Sequence, residues 1–183
     1  AGAVELRRLD GFARDALQGG QVDDHAETEP APDRHRDDAV ERLVGALEEL
    51  LRRDAPFEWS VQASTNLVDR LTVDELKLLR RTGLTQVVQG ADSGSRAVLD
   101  LMNKKFQKIE TIHAAARKLH EAGIRPSFNL IFDYPGEREQ DRQESVRLVL
   151  EICRRYPGAE FWTNIFTPYP GSPVMERAFE LGI

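Results

Sequence analysis

The sequence predicts an α/β fold of parallel strands joined by helices, forming a partial barrel or an open sheet. Short β-branched and aromatic runs alternate with amphipathic helical stretches, and glycine or proline marks most of the junctions. The strands also recur roughly 30 to 40 residues apart, which suits a right-handed crossover through a helix and not a hairpin.

Taken in order, a first helix is expected from Val4 to Leu17, followed by a short strand at Gln21-Val22-Asp23. Residues 24–38 are polar, contain Pro30 and Pro32, and read as a loop. Val40, Leu43, Val44, Leu47, Leu50 and Leu51 share one helical face, and Pro56 closes that helix. Residues 57–63 read as a strand. Thr72 and Glu75 have capping-box spacing, and Leu76 and Leu79 carry the helix on to Gly83. A short strand at 84–88 runs toward Gly90. Ile109, Ile112, Ala116 and Leu119 mark a helix that stops at Gly123, and a strand at 124–132 is broken by Pro135-Gly136. Val146, Val149, Leu150 and Cys153 line the next helix, which ends in Arg154 and Arg155. The last strand covers 160–166. Residues 39–183 therefore carry the βα pattern, while 1–38 carry less of it, and the whole is expected to be one domain.

Composition narrows the function. Hydrophobic residues make up 40% and charged residues 31% of 183, as expected of a soluble globular chain. A net charge of −6 argues against a nucleic-acid backbone or an anionic membrane as the main partner. No apolar run approaches the roughly 20 residues of a membrane span, and no signal peptide is visible. One cysteine allows no internal disulfide, so a reducing cytoplasm is the expected compartment. Cys153 falls in the apolar stripe with Val149 and Leu150 and is expected to be a buried, inert thiol.

In parallel α/β folds chemistry gathers at the carboxyl ends of strands. Gln89-Gly90-Ala91-Asp92-Ser93-Gly94-Ser95 offers small residues for close ligand approach and a carboxylate for hydroxyl groups; Ser93 or Ser95 equally suits a plain helix N-cap. Ile131-Phe132-Asp133-Tyr134-Pro135-Gly136-Glu137 makes a tight turn, and as a plain turn it would lead into a helix with an acidic first turn. Thr167-Pro168-Tyr169-Pro170-Gly171-Ser172-Pro173 is a stiff loop that either walls a pocket or links two elements, with Ser172 and Pro173 placed to start a helix. Asp23-Asp24-His25 pairs two carboxylates, but nothing there has zinc-type spacing, and no metal site is expected. No Ser–His–Asp pattern or Walker-type loop is present.

In order, these segments resemble the cobalamin-associated branch of the radical S-adenosylmethionine superfamily. The resemblance rests on Trp59-Ser60-Val61-Gln62, Gly90-Ala91-Asp92-Ser93-Gly94-Ser95, Val98-Leu99 with Met102-Asn103-Lys104, Ala122-Gly123-Ile124, Asp133-Tyr134-Pro135-Gly136-Glu137 and Thr167-Pro168-Tyr169-Pro170-Gly171-Ser172-Pro173. It implies a partial (β/α)6 TIM-like barrel of parallel strands, truncated so that the first strand is missing. It also implies an enzyme that, when complete, cleaves S-adenosylmethionine reductively with a [4Fe–4S] cluster to give a 5′-deoxyadenosyl radical acting on a small-molecule substrate, with cobalamin as a further cofactor of the branch. By similarity, Asp23 and Asp24 would lie near the methionine amine, and Gln62 and Gly90 at the strand edges. Asp92 and Ser93 would lie near the ribose, and Phe132, Asp133, Pro168 and Tyr169 would border the adenine or substrate. The resemblance names no catalytic residue in this chain.

Asp92 stands where the family has glutamate, and Asp133 where it has glycine. The family's cluster sits in a Cys-x3-Cys-x2-Cys loop; a chain with one cysteine is not expected to hold it. The alternative is a non-catalytic, cluster-free domain that binds a nucleotide-like ligand or a partner protein. A sheet lacking its first strand would also expose an edge prone to self-association.

Overall fold

The computed structural model describes residues 57–177 together with Gly45, Ala46, Glu49 and Arg52. The helix at Val4 to Leu17, the strand at Gln21-Val22-Asp23 and the loop after it lie outside the described residues. Within the helix expected around Val40 to Leu51, Gly45, Ala46 and Glu49 are helical.

The described elements run β1 (Trp59–Gln62), α1 (Thr65–Arg70), α2 (Val73–Arg81), β2 (Leu84–Asp92), α3 (Arg96–Leu101), α4 (Ile109–Glu121), β3 (Arg125–Phe132), α5 (Glu139–Arg155), β4 (Glu160–Ile165) and α6 (Pro173–Glu176). The four strands form one sheet in the order β1-β2-β3-β4, and every neighbouring pair is parallel. This order never reverses. Right-handed crossovers then place every helix on the same side of the sheet, which is the arrangement of a barrel wall and not of a doubly wound sheet.

Local sequence explains most boundaries. The Thr72 hydroxyl accepts from the Glu75 amide at 3.2 Å while the Glu75 carboxylate accepts from the Thr72 amide at 2.8 Å, completing the capping box of α2. Ser172 caps α6 through the Met175 amide, with Pro173 in the first turn. Two helices depart from expectation. Helix α1 has no periodic signature, because its six residues are too few to show a helical period; Ser64 caps it by accepting from Leu67. Helix α5 buries Asp141, Ser145, Leu148 and Ile152, leaving Val146 and Leu150 nearly half exposed. Cys153 is exposed on that outer flank, so it is not the buried thiol expected. The inward face is polar in its first half, so hydrophobic periodicity picks out the wrong flank.

Two apolar clusters lie between sheet and helices. One joins α1, α2 and α4 to β2 through Leu67, Leu76, Leu79, Val87 and Leu119. The other joins α4 and α5 to β3 through Ile112, Phe128, Leu130, Leu148 and Ile152. Each such fully buried side chain contributes about 1.5–3 kcal/mol. Because strand side chains alternate, the register fixes what faces the other way: Ser60 and Gln62 on β1, Gln86, Val88 and Gly90 on β2, and Ser127 and Asn129 on β3 point to the helix-free face. This inner face is largely polar, unlike the branched apolar layers that fill a packed barrel.

Candidate functional site

The site is built where β2 ends. Strand β2 continues four residues beyond the expected 84–88, and its register against β3 shifts between Gly90 and Asp92. The extra residue turns Asp92 into the left-handed region at φ 59°, a conformation that Asp tolerates better than most side chains. Its carboxylate then lies beside Gly90: a Cβ built on Gly90 would stand 3.5 Å from both Asp92 oxygens. Asp92 is 6% exposed, and the Lys104 ammonium is its ion-pair partner. Lys104 is delivered by a second left-handed residue, Asn103 at φ 57°. The buried Gln107 amide donates to the Gly90 and Ala91 carbonyls at 3.0 and 2.6 Å, fixing the strand end from behind.

The loop after Asp92 is fastened to α5. The Ser93 and Ser145 hydroxyls lie 3.1 Å apart, and Ser145 also accepts from the Gly94 amide at 2.9 Å. Ser95, at the start of α3, makes no side-chain cap; its hydroxyl donates to Asp141 at 2.6 Å. Asp141 also accepts from the Arg138 amide at 2.9 Å. The Ser95 hydroxyl, and then the Arg138 amide, hold the Asp141 carboxyl below its ordinary range. Ser93 is fully buried in this network, so its hydroxyl serves the loop and is not presented at the edge.

At the end of β3, Asp133 is the third left-handed residue, at φ 60°, which accounts for a position where the family has glycine. Its carboxylate meets Arg142 of α5 at 3.2 Å, and its amide donates to Glu137 at 2.6 Å. The Glu137 side chain is 1% exposed and its second oxygen has no partner among the described residues; burial pushes its carboxyl up despite the Asp133 amide and Arg142. Burial also raises the Tyr134 hydroxyl, whose ring packs edge-on against Phe166 at 4.8 Å.

The remaining expected residues divide. Gln62 is exposed at the inner face beside Val88. Phe132 packs on the helix side, while its carbonyl accepts from Phe166 at 2.8 Å. Pro168 is partly buried; Tyr169 is 75% exposed and its carbonyl accepts from the Ser172 hydroxyl at 2.7 Å. Asp23 and Asp24 lie outside the described residues. Sequence reasoning gave no role to Lys104, Gln107, Asp141, Ser145 or Trp162. For Lys104 the signal was present in the Asn-Lys turn, but the pairing with Asp92 is visible only once α3 is folded back.

A helix-lined parallel sheet with a polar inner face, and with a fixed carboxylate and ammonium at its carboxyl edge, defines a partial barrel whose open edge is charged and polar. The Radical SAM superfamily model matches residues 25–149, more than half of the chain, and the chain belongs to that superfamily. It is similar to the tRNA-2-methylthio-N(6)-dimethylallyladenosine synthase of Bifidobacterium adolescentis, with 35% identity over 86 residues, covering 46% of this chain and 17% of that enzyme. The enzyme of the same description from Geobacter sulfurreducens is 35% identical over 86 residues, covering 44% and 17%. The chain thus spans less than a fifth of the length of these relatives. Among solved structures, the radical S-adenosylmethionine methyltransferase TsrM of Kitasatospora setae, with cobalamin and a [4Fe–4S] cluster bound, superposes with a TM-score of 0.60 at 18% identity. That match covers 78% of this chain and 28% of TsrM, and it shows the shared fold.

The superfamily implies S-adenosylmethionine and a [4Fe–4S] cluster. Clusters of this kind are held by several thiolates, and the one cysteine here lies exposed near the end of α5, far in sequence from any strand-end loop. Among the described residues no group of His, Cys, Asp and Glu could hold a metal ion. The residues present do not fit the cluster. What the carboxyl edge does offer is the Asp92 carboxylate beside a side-chain-free Gly90.

Proposed function

We propose that this chain supplies the nucleoside-binding edge of a radical S-adenosylmethionine enzyme. The observation that carries the reading is Asp92, held by a strand shift and a left-handed backbone so that its carboxylate lies over a side-chain-free glycine. A carboxylate so placed accepts from the paired hydroxyls of a ribose. Lys104 pairs with it and gives the same edge a cation suited to the ligand's carboxylate. Gln107 holds the strand end still while the ligand enters. The chain's own residues bind and orient; the chemistry that breaks the carbon–sulfur bond depends on a cluster for which they provide no ligands. The substrate in this reading is a small molecule or a single ring met at the inner face, with the net charge of −6 set against an extended nucleic-acid backbone. The compartment is the cytoplasm.

The lone cysteine favours a second reading, a domain that binds a nucleotide-like ligand without cleaving it. Calorimetry with S-adenosylhomocysteine tests the site in both. Binding is expected, and Asp92→Asn, which keeps the shape and the left-handed tolerance but removes the charge, is expected to weaken it by at least about 1 kcal/mol. Affinity unchanged by Asp92→Asn removes Asp92 from the site. Both readings expect no stoichiometric cluster after anaerobic reconstitution, because one cysteine cannot hold it; iron and sulfide retained after desalting would exclude the second reading.

A further inference from the structure

On the helix side of the sheet, away from the inner face, a groove of about 230 Å³ lies between α4 and α5. Its apolar lining is Ile109 of α4 and the buried Leu148 of α5. None of the residues that make the Asp92 edge lines it; the loop after Asp92 reaches it only through Gly94. Its charged lining comes mostly from α5. Glu144, Arg147 and Glu151 follow one another at the i, i+3 and i, i+4 spacings at which opposite charges on a helix pair. Arg142, earlier on the same helix, uses that spacing to reach Glu139 at 3.2 Å. Arg147 pairs with neither of its neighbours. Among the described residues, neither the Arg147 nor the Glu144 side chain has an ion-pair or hydrogen-bond partner. Glu151 is engaged, since it lies 3.7 Å from His113 of α4.

The groove thus offers one unpaired cation and one unpaired anion, roughly 5 Å apart as adjacent turns of a helix are, beside an apolar surface. This combination restricts the occupant. A metal ion is excluded, because no group of His, Cys, Asp and Glu among the described residues could hold one. A phosphate would find a single cation set between two carboxylates. A neutral apolar molecule would leave both charges unanswered. A small zwitterion answers both: the planar guanidinium takes a carboxylate through two hydrogen bonds, the carboxylate takes an ammonium, and an apolar side chain covers Ile109 and Leu148. The volume is below that of sites for larger ligands and suits one small molecule.

We propose that the groove between α4 and α5 is a binding site for a free α-amino acid with an apolar side chain, with Arg147 holding its carboxylate and Glu144 its ammonium. The site stands apart from the Asp92 edge and does not rest on what that edge binds. The test is calorimetric titration of L-leucine into the full chain. N-acetyl-L-leucine, which has no ammonium, and L-leucinamide, which has no carboxylate, are titrated beside it. L-leucine is expected to saturate the chain, and each analogue to bind at least about tenfold more weakly. Arg147→Gln should erase the preference for leucine over leucinamide, and Glu144→Gln the preference over N-acetyl-leucine. Both side chains are exposed, so both variants should melt with the parent, which separates a lost contact from a lost fold. Adenosine at saturating concentration should leave the affinity for leucine unchanged. No saturable binding of leucine overturns the proposal, and so does affinity that survives both substitutions. An analogue that binds as well as leucine also overturns it, because the groove then reads a single charge and not a zwitterion. Displacement of leucine by adenosine overturns it as well, since leucine would then occupy the Asp92 edge.

Discussion

A methyl group added at Gly94 would stand 2.6 Å from the Ser145 Cα, 2.8 Å from the Glu144 carbonyl oxygen and 2.9 Å from the Ser145 nitrogen. All three are backbone atoms of α5, which cannot swing aside as a flexible side chain would. The closeness is what lets Ser145 accept from the Gly94 amide and holds the Asp92 loop against the helix. Gly94→Ala is therefore expected to destabilise the fold by about 1–3 kcal/mol, the usual range for forced overpacking, and to weaken ligand binding by displacing Asp92. Denaturant unfolding measures the first effect; a midpoint within error of the parent would show that α5 does not bear on the loop. Gly90 behaves in the opposite way, since the chain tolerates a Cβ there. The two glycines of one motif have different reasons: one is required by the protein's packing, the other is open to a ligand.

At the scale of elements, α5 is the support of the site. Its first turns present Asp141 and Ser145 inward, and Ser95 and Gly94 hang on them. The Asp141 carboxyl is held below its ordinary value in the fold, so between that depressed value and the ordinary one, near 3.9, the unfolded chain binds more protons. Stability from this group is complete above the ordinary value and is lost as pH falls through the depressed one. Asp141→Ala should flatten that acid limb of the stability profile and lower stability at neutral pH by about 1–3 kcal/mol, because the Ser95 hydroxyl and Arg138 amide lose their acceptor. Parallel melts from pH 7 down to 3 decide it; an unchanged acid limb would remove Asp141 from the account. The same helix shows where sequence reading works and fails. Its end at Arg154 and Arg155 was legible, as were the capping box of α2, the glycine stop at Gly123 and the Ser172-Pro173 start of α6. Its inward face was not, because Asp141 and Ser145 are buried for hydrogen bonding and break the apolar period that would have marked them. Strand β2 was read four residues short for a related reason: the strand shift at Gly90 and the left-handed Asp92 resemble a turn in sequence.

Across the molecule, parallel strands in unbroken order explain why residues far apart in sequence share one edge. Asp92 and Asp133 end adjacent strands, and both are left-handed. The motifs that carried the family resemblance are thus legible as a set, while their division of labour is not. Asp92 faces the glycine, Asp133 turns its carboxylate to Arg142, and Ser93 is buried against Ser145. One sheet face packs helices and the other is polar. Among the described residues β1 and β4 form the margins of the sheet, and β4 leaves Trp162 and Ile165 largely exposed.

The central claim is that the carboxyl edge around Asp92 is the ligand site, and amide hydrogen exchange with and without S-adenosylhomocysteine tests it most directly. Protection is expected at the amides of residues 90–95 and 103–107, with smaller changes at 133–137, while the exposed flank of α5 at Val146 and Leu150 stays unchanged. Protection confined to that outer flank, or none at the end of β2 under saturating ligand, would contradict the account.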